Sequence, residues 1–380
     1  MSFVRKNAFR NKRRSILTLL SIGFSLLLLT VMMTIWRAFY MSEGSAESAQ
    51  RLVVRHKVSM ANFLPISYRE KIRSMPGVKH VVNLTWFGGQ YKDSKPENFF
   101  AEFATDPQEV FQVFTDFQIP PDQLAAWQKD RAGCIVDAEL AKKHNWKIGD
   151  RIVLKGSIFP INAELTVRGI YTAPPGGSGL YFNNVYIDEG YPRVKGLVGW
   201  FAVLADSPQA VPQLAKSIDA EFRNNERPTK SESEKAFNLS WIAMLGNVKA
   251  FILSICMAVV FATLLVSANT MAMSIRERTR EVALLKTLGF TRGTVLALFM
   301  SESVSLAACG GLLGALAASF VIAGMAASPQ GGLLFQNLKV DIPAVLMAAA
   351  VGAVVGVVSS FIPAYNASRQ NIVEGLRHIG

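Results

Sequence analysis

The chain is poor in the residues from which catalytic and metal sites are built. It has 380 residues but only three cysteines and four histidines. His56, His80, His144 and His378 lie far apart, with no H-E-x-x-H pattern and no Cys/His cluster of zinc-ligand spacing. No G-x-S-x-G elbow occurs. No Gly-Lys dipeptide occurs either, which rules out the phosphate-cradling G-x-x-x-x-G-K-[ST] loop. Cys134 is the one cysteine between residues 41 and 246, so that region has no internal disulfide, and a buried, inert thiol is expected. No repeat of solenoid period is visible. These absences argue against an enzyme.

Charge is also missing, but only locally. Residues 15–36, 250–275, 294–322 and 342–365 are almost free of it, and each run is long enough to cross a hydrocarbon core of about 30 Å. Residues 41–240 hold 24 Lys/Arg against 23 Asp/Glu, so nearly all of the +12 net charge flanks the apolar runs. Arg5, Lys6, Arg10, Lys12, Arg13 and Arg14 precede the first run. Arg276, Arg278, Arg280, Lys286 and Arg292 separate the second from the third. This is the positive-inside distribution and not a nucleic-acid surface, so no nucleic-acid partner is expected. The first run exceeds the 7–15 residues of a signal-peptide core and reads as a retained helix, with Trp36 and Tyr40 at its outer interface.

The expected fold is therefore a membrane α-helical protein of four transmembrane helices with an inserted extracytoplasmic mixed α/β domain. In order, it comprises a basic cytoplasmic segment (1–14), the first span (15–40), the external domain with a stalk (41–246) and the second span (247–275). A cytoplasmic coupling helix (276–293), the third span (294–325), an external turn (326–341), the fourth span (342–365) and a cytoplasmic tail (366–380) follow. Within the external domain, residues 67–75 and 211–222 read as helices, and 78–84, 151–155 and 163–171 as strands, the last with one slip in its alternation. Asp137 is placed to cap a helix running to Asn145. Residues 226–235 are polar and read as a linker, and 174–179 as a Gly-rich mobile loop. The second apolar run is long enough to tilt or to project outward as a stalk.

Residues 275–293 are the most informative stretch. Val282, Leu285 and Leu288 recur at i, i+3 and i+6, and Glu277/Arg280 and Arg278/Glu281 are i, i+3 neighbours. A short amphipathic segment between two spans suits either the membrane surface or a protein groove. Glu302 is a carboxylate about two turns into an apolar run, where it must pair, snorkel or take up a proton. It reads either as a coupling contact with a basic or polar group near the cytoplasmic face or as a structural cap or interfacial residue. Gly310-x-x-x-Gly314 and Gly352-x-x-x-Gly356 each put small residues on one helix face, for close packing within the chain or across a dimer.

Glu277-Arg278 and Glu281-Val282-Ala283-Leu284-Leu285-Lys286-Thr287-Leu288-Gly289 resemble the coupling region of FtsX/MacB-type permeases of ABC transporters. Glu302 followed by Gly310-Gly311 and Gly314, the ending Pro363-Ala364…Arg369, and Glu374-Gly375-Leu376-Arg377 extend the resemblance. Asn371-Ile372 departs from the Asp-Pro of many relatives. Residues 137–150 and 167–170 resemble, more loosely, the extracytoplasmic domain of MacB-like proteins.

The resemblance implies a non-catalytic permease subunit whose segment Arg276, Glu277, Arg278, Arg280, Glu281, Val282, Leu285, Leu288 and Gly289 docks on a separate ATPase dimer. ATP and Mg would be bound by that partner, with no cofactor in this chain. Pro363, Arg369 and Arg377 in the tail would share in the coupling. The implied partners are a second permease (homo- or heterodimer), membrane lipid and a periplasmic adaptor protein. The implied location is the bacterial inner membrane, with both termini cytoplasmic. The implied work is mechanotransmission that exports or extracts a lipoprotein, peptide or amphipathic compound. The alternatives are an FtsX-like regulator of an external enzyme and an ATP-independent scaffold.

Overall fold

The computed structural model describes residues 12–40, 45–174, 177–244, 246–327, 338 and 340–369. Arg5, Lys6, Arg10, most of the external turn and Arg377 lie outside the described residues. The chain divides into two units, 1–42 with 245–380 and 43–244.

The membrane unit contains four helices long and apolar enough to span a bilayer: Lys12–Tyr40, Val248–Glu277, Arg292–Ala327 and Ile342–Arg369. They run past the ends of the apolar stretches because a helix satisfies its own backbone whatever the side chain. Lipid-like tails give helices no hydrophobic reason to associate, so close backbone approach must do it. The glycines supply that approach within the chain. A Cβ on Gly314 would stand 2.5 Å from the Gly23 carbonyl and 2.8 Å from the Leu27 nitrogen of the first helix. One on Gly352 would meet the Ala307 carbonyl of the third helix at 2.6 Å, and one on Gly356 the Val304 Cα at 2.9 Å. Gly314→Ala is accordingly expected to cost about 1–3 kcal/mol, since rigid backbone must yield. Gly324→Ala, with nothing within 4 Å, should be neutral or slightly stabilising. Thermal unfolding of the two variants in detergent checks the contrast.

Polar bonds finish the bundle. Ser267 and Ser359 share a hydroxyl–hydroxyl hydrogen bond of 2.8 Å, and the Ser303 hydroxyl donates to the Gly356 carbonyl at 3.1 Å. Arg37 at the end of the first helix pairs with Asp341 at 2.9 Å, and Asp341 also accepts the Ala344 N–H that opens the fourth. Phe251, Met257, Phe261 and Leu265 leave an apolar face of the second helix open, as a lipid-facing surface requires.

The second unit is a mixed α/β domain on a ten-stranded sheet. Its strands are β1 (Arg51–His56), β3 (Val78–Trp86), β4 (Gly89–Tyr91), β5 (Glu102–Thr105), β6 (Gly133–Asp137), β7 (Arg151–Gly156), β8 (Asn162–Tyr171), β9 (Leu180–Asn183), β11 (Trp200–Ala205) and β12 (Thr229–Ser233). They lie in the order β12-β1-β11-β3-β5-β9-β6-β8-β7-β4, with β5/β9 and β6/β8 parallel. Strands β2 (Leu64–Pro65) and β10 (Leu197–Val198) form a separate antiparallel pair. One core gathers Leu52, Val54, Val81, Phe201 and Val203 under the helix Val211–Glu221, whose Leu214 and Ile218 face inward together with Phe222. A second gathers Cys134, Val136, Ile152, Leu154, Leu165 and Val167. Cys134 is wholly buried, and burial pushes its thiol well up, which removes thiolate reactivity.

Several expected elements stand: helix Tyr68–Arg73, strands β3, β7 and β8, and helix Ala138–His144, whose Asp137 cap accepts the Glu139 N–H at 3.3 Å. The slip in β8 appears as a register shift against β6 at Cys134/Ile135. One reading is corrected. Residues 226–235 are not a linker, because β12 takes Thr229–Ser233 as an edge strand whose polar groups are paired, and the helix Glu234–Met244 follows at once. Asp219 accepts from the Thr229 hydroxyl and from the Ser231 N–H and hydroxyl, and Arg55 bonds Glu232 at 2.9 Å. The helix Glu234–Met244 is separate, and Gly246 at φ +95° followed by Asn247, whose side chain accepts the Ala250 N–H, starts Val248–Glu277 afresh. The Gly-rich loop is tied at its described end, where the Tyr171 hydroxyl reaches the carbonyls of Gly177 and Gly179 and Ser178 bonds Asp137.

Candidate functional site at the connector between the second and third helices

The second helix ends at Glu277. Arg278, at φ −108° and ψ 15°, caps it and begins a nine-residue connector helix, Thr279–Thr287. The expected coupling helix over 276–293 is therefore divided among three helices, with Arg292 and Gly293 opening the third span. Arg276 and Glu277 continue the second span, so Glu277 and Arg280 fall on different helices. The connector closes at Gly289, at φ +88°. Its N–H reaches the Lys286 carbonyl, and the Phe290 N–H the Leu285 carbonyl, both at 3.1 Å. That is a Schellman ending, which needs a left-handed residue where glycine is. Phe290 and Leu285 also meet in the apolar contact that accompanies such endings, lining a groove of about 260 Å³ with Thr294, Val295 and Leu298.

The connector has two unlike sides. Inward, Ala283 is buried, and Val282 is buried in one cluster with Ile275 of the second helix, Val295 and Phe299 of the third, and Ala364 and Ala367 of the fourth. Outward, Leu284, Leu288 and Phe290 are 57%, 70% and 46% exposed. The spacing had suggested one face for Val282, Leu285 and Leu288. Six residues at 3.6 per turn instead carry Leu288 about 120° from Val282, onto the side of Leu284. Arg276, Glu277 and Arg280 are exposed beside them, and Glu281 is half-buried.

Glu302 has a specific partner. Its Oε2 accepts from Arg278 Nη1 at 2.7 Å, with Arg278 8% and Glu302 6% exposed. A charge at this depth is costly alone and tolerable as a hydrogen-bonded pair. The pair ties the hinge of the connector to the third helix, and the sequence showed a carboxylate in need of a partner without saying which. Pro363 lies inside the fourth helix, and Arg369 ends it with its guanidinium 4.7 Å over the Tyr365 ring.

A bundle of spanning helices with an embedded connector and a large external α/β unit is the architecture of a membrane permease. The MacB-like periplasmic core domain family matches residues 15–221, and the FtsX-like permease C-terminal family residues 226–372. The chain belongs to the ABC transporter permeases of this MacB/FtsX type. An uncharacterized ABC transporter permease of Methanocaldococcus jannaschii, MJ1507, is 22% identical over 99% of this chain and 97% of its own length. The macrolide export ATP-binding/permease protein MacB of Bdellovibrio bacteriovorus is 29% identical over 44% of this chain, which spans only 26% of that longer protein. Among solved structures, the extracellular domain of the noncanonic ABC-type transporter YknZ from Gram-positive bacteria aligns with 48% of this chain and 99% of its own, at 13% identity and a TM-score of 0.36.

Proposed function

We propose that this chain is driven by a separate ATPase dimer and passes its movement to the external domain. The observation that carries the reading is the two-sided connector. Leu284, Leu288 and Phe290 offer an apolar outward surface flanked by exposed Arg276 and Arg280, while Val282 and the Arg278–Glu302 pair bind the inner side to three spanning helices. A protein seated on the outer face would move those helices together, because packed interiors transmit displacement and do not absorb it. On this reading ATP and Mg belong to the partner, the chain sits in the bacterial inner membrane with both termini and the connector in the cytoplasm, and a second permease completes the assembly. The substrate would be a lipoprotein, peptide or amphipathic compound handled at the outer face, where an adaptor protein could join.

Leu284→Asp with Leu288→Asp tests the docking face, since neither side chain supports the bundle. The variant should insert and unfold like the parent but lose at least tenfold of its co-purification with a co-expressed ABC ATPase subunit. Undiminished co-purification would remove the connector from the interface.

A further inference from the structure

The external unit receives the chain from the first span and returns it to the second along two neighbouring strands. Strand β1 starts eleven residues after Tyr40, and β12 runs directly into the helix Glu234–Met244, three residues short of Val248. The two strands pair antiparallel, Leu52 opposite Ser233 through His56 opposite Thr229, at one edge of the sheet. The inbound and outbound segments thus form a single stem.

At the base of that stem is a buried charge cluster that the coupling reading has not used. Arg51, the first residue of β1, is 4% exposed. Its Nε bonds Glu234 Oε2 at 2.5 Å, on the outbound segment. Its Nη1 and Nη2 hold both oxygens of Asp116, at 2.6 and 3.0 Å, and its guanidinium lies 4.9 Å from the centre of the Phe114 ring. The Ser45 hydroxyl, on the inbound side, donates to the same Asp116 at 2.7 Å. Burial pushes the Asp116 carboxyl up, but the bonds from Arg51 and Ser45 outweigh it and hold the group below its usual range. Buried ion clusters of this kind are poor sources of net stability, and their best-attested use is to fix register.

The structure shows what this cluster fixes. Two residues beyond Asp116, Gln118 exchanges two backbone hydrogen bonds with Thr172, at 2.9 and 2.8 Å. Phe117 stacks on Tyr171, 5.2 Å between centroids and 24° between planes. Tyr171 ends β8, whose Leu165 and Val167 belong to the core farther from β1 in the sheet order, and its hydroxyl holds Gly177 and Gly179. A bidentate guanidinium therefore joins the stem to the turn 114–118, and that turn is bonded to β8 and its Gly-rich loop.

We propose that Arg51 is a positioning residue that makes the stem, the Asp116 turn and β8 with residues 177–179 move as one body. The proposal rests on the reading that movement enters through the stem, but the linkage itself is internal to the chain. Its test therefore needs no ATPase, and failure of the docking reading would leave the result unaffected.

The test is native-state amide hydrogen exchange on the full-length chain in detergent, comparing the parent with Arg51→Lys, Asp116→Asn and the double variant. Lysine keeps the charge but cannot hold both Asp116 oxygens and Glu234 in one plane. Exchange at Gln118 and Thr172 should rise at least tenfold in each single variant, and the double variant should add little, as partners in one linkage do. The amides of β3 and β11 should keep their parental rates and so report an intact fold. Arg51→Met supplies a second removal of the fork if lysine finds a substitute geometry. Exchange that rises only in β1 and β12, or equally in β3 and β11, would overturn the proposal and leave Arg51 a local structural residue. Additive effects of Arg51→Lys and Asp116→Asn would overturn it as well.

Discussion

Glu302→Ala is expected to destabilise the membrane unit by about 3–5 kcal/mol, the usual cost of removing one partner from a buried ion pair. The reason lies less in the lost attraction than in what remains. Arg278 is buried at the hinge between the second helix and the connector, and its Nη1 rests on Glu302 at 2.7 Å. A guanidinium does not discharge by losing a proton. Its charge therefore stays at the hinge without the carboxylate on which Nη1 rests. Replacing both partners, Arg278→Met with Glu302→Leu, should recover most of the loss because no buried charge is left over. Thermal unfolding of the full-length chain in detergent measures both. Equal losses in the single and double variants would mean that packing and not charge sets the cost. If stability returns in the double variant while ATPase-dependent function does not, the pair positions the connector as well as stabilising it.

The membrane unit was readable from the sequence because a bilayer imposes one rule on everything inside it. Four almost charge-free runs and two small-x-x-x-small motifs carry position and contact face directly. The connector was readable as a motif but not as a shape. Its break at Arg278 follows from the ion pair with Glu302, 24 positions away, and no local periodicity reports such a partner.

The external domain divides in the same way. Strands with one wet face, such as β7 and β8, announced themselves by alternation. Strand β11 is buried at all six positions, so it shows no alternation to read. Strand β12 was hidden for the opposite reason, since side-chain bonds to Asp219 and Arg55 replace the apolar pattern. Arg51 looks in sequence like any solvated arginine. Only the antiparallel pairing of β1 with β12 brings Glu234 to it, and only the tertiary fold brings Asp116.

Glu102→Gln is expected to stabilise the external domain by about 3 kcal/mol above pH 8 and to change little below pH 5. Glu102 sits on β5 at 2% exposure, and among the described residues no cation acts on its carboxyl. Burial pushes its carboxyl from 4.5 up to about 7, against the lowering effect of the Gly89 N–H that its Oε2 accepts at 2.5 Å. The folded chain therefore binds this proton more tightly than the unfolded one. The group's favourable contribution is complete below about pH 4.5 and is lost as pH rises through about 7. At about 1.4 kcal/mol per decade of proton affinity, the loss is about 3 kcal/mol. Glutamine keeps an oxygen for Gly89 and carries no charge to bury, so it escapes that loss. Asp188, also raised by burial, acts in the same direction as Glu102. His144 acts in the opposite one: burial first, then Lys143 and Lys92, lower it to about 4, so its stabilising neutral form is gained as pH rises from about 4 to 6.5. The parent's own pH profile is thus a difference of opposed slopes. Subtracting it from that of Glu102→Gln cancels the other groups and isolates the carboxyl. Denaturant unfolding of the full-length chain between pH 4.5 and 8.5, followed by the fluorescence of buried Trp127, Trp146 and Trp200, gives that difference curve. A flat curve would mean that Glu102 is solvated in the folded protein and titrates as an ordinary glutamate.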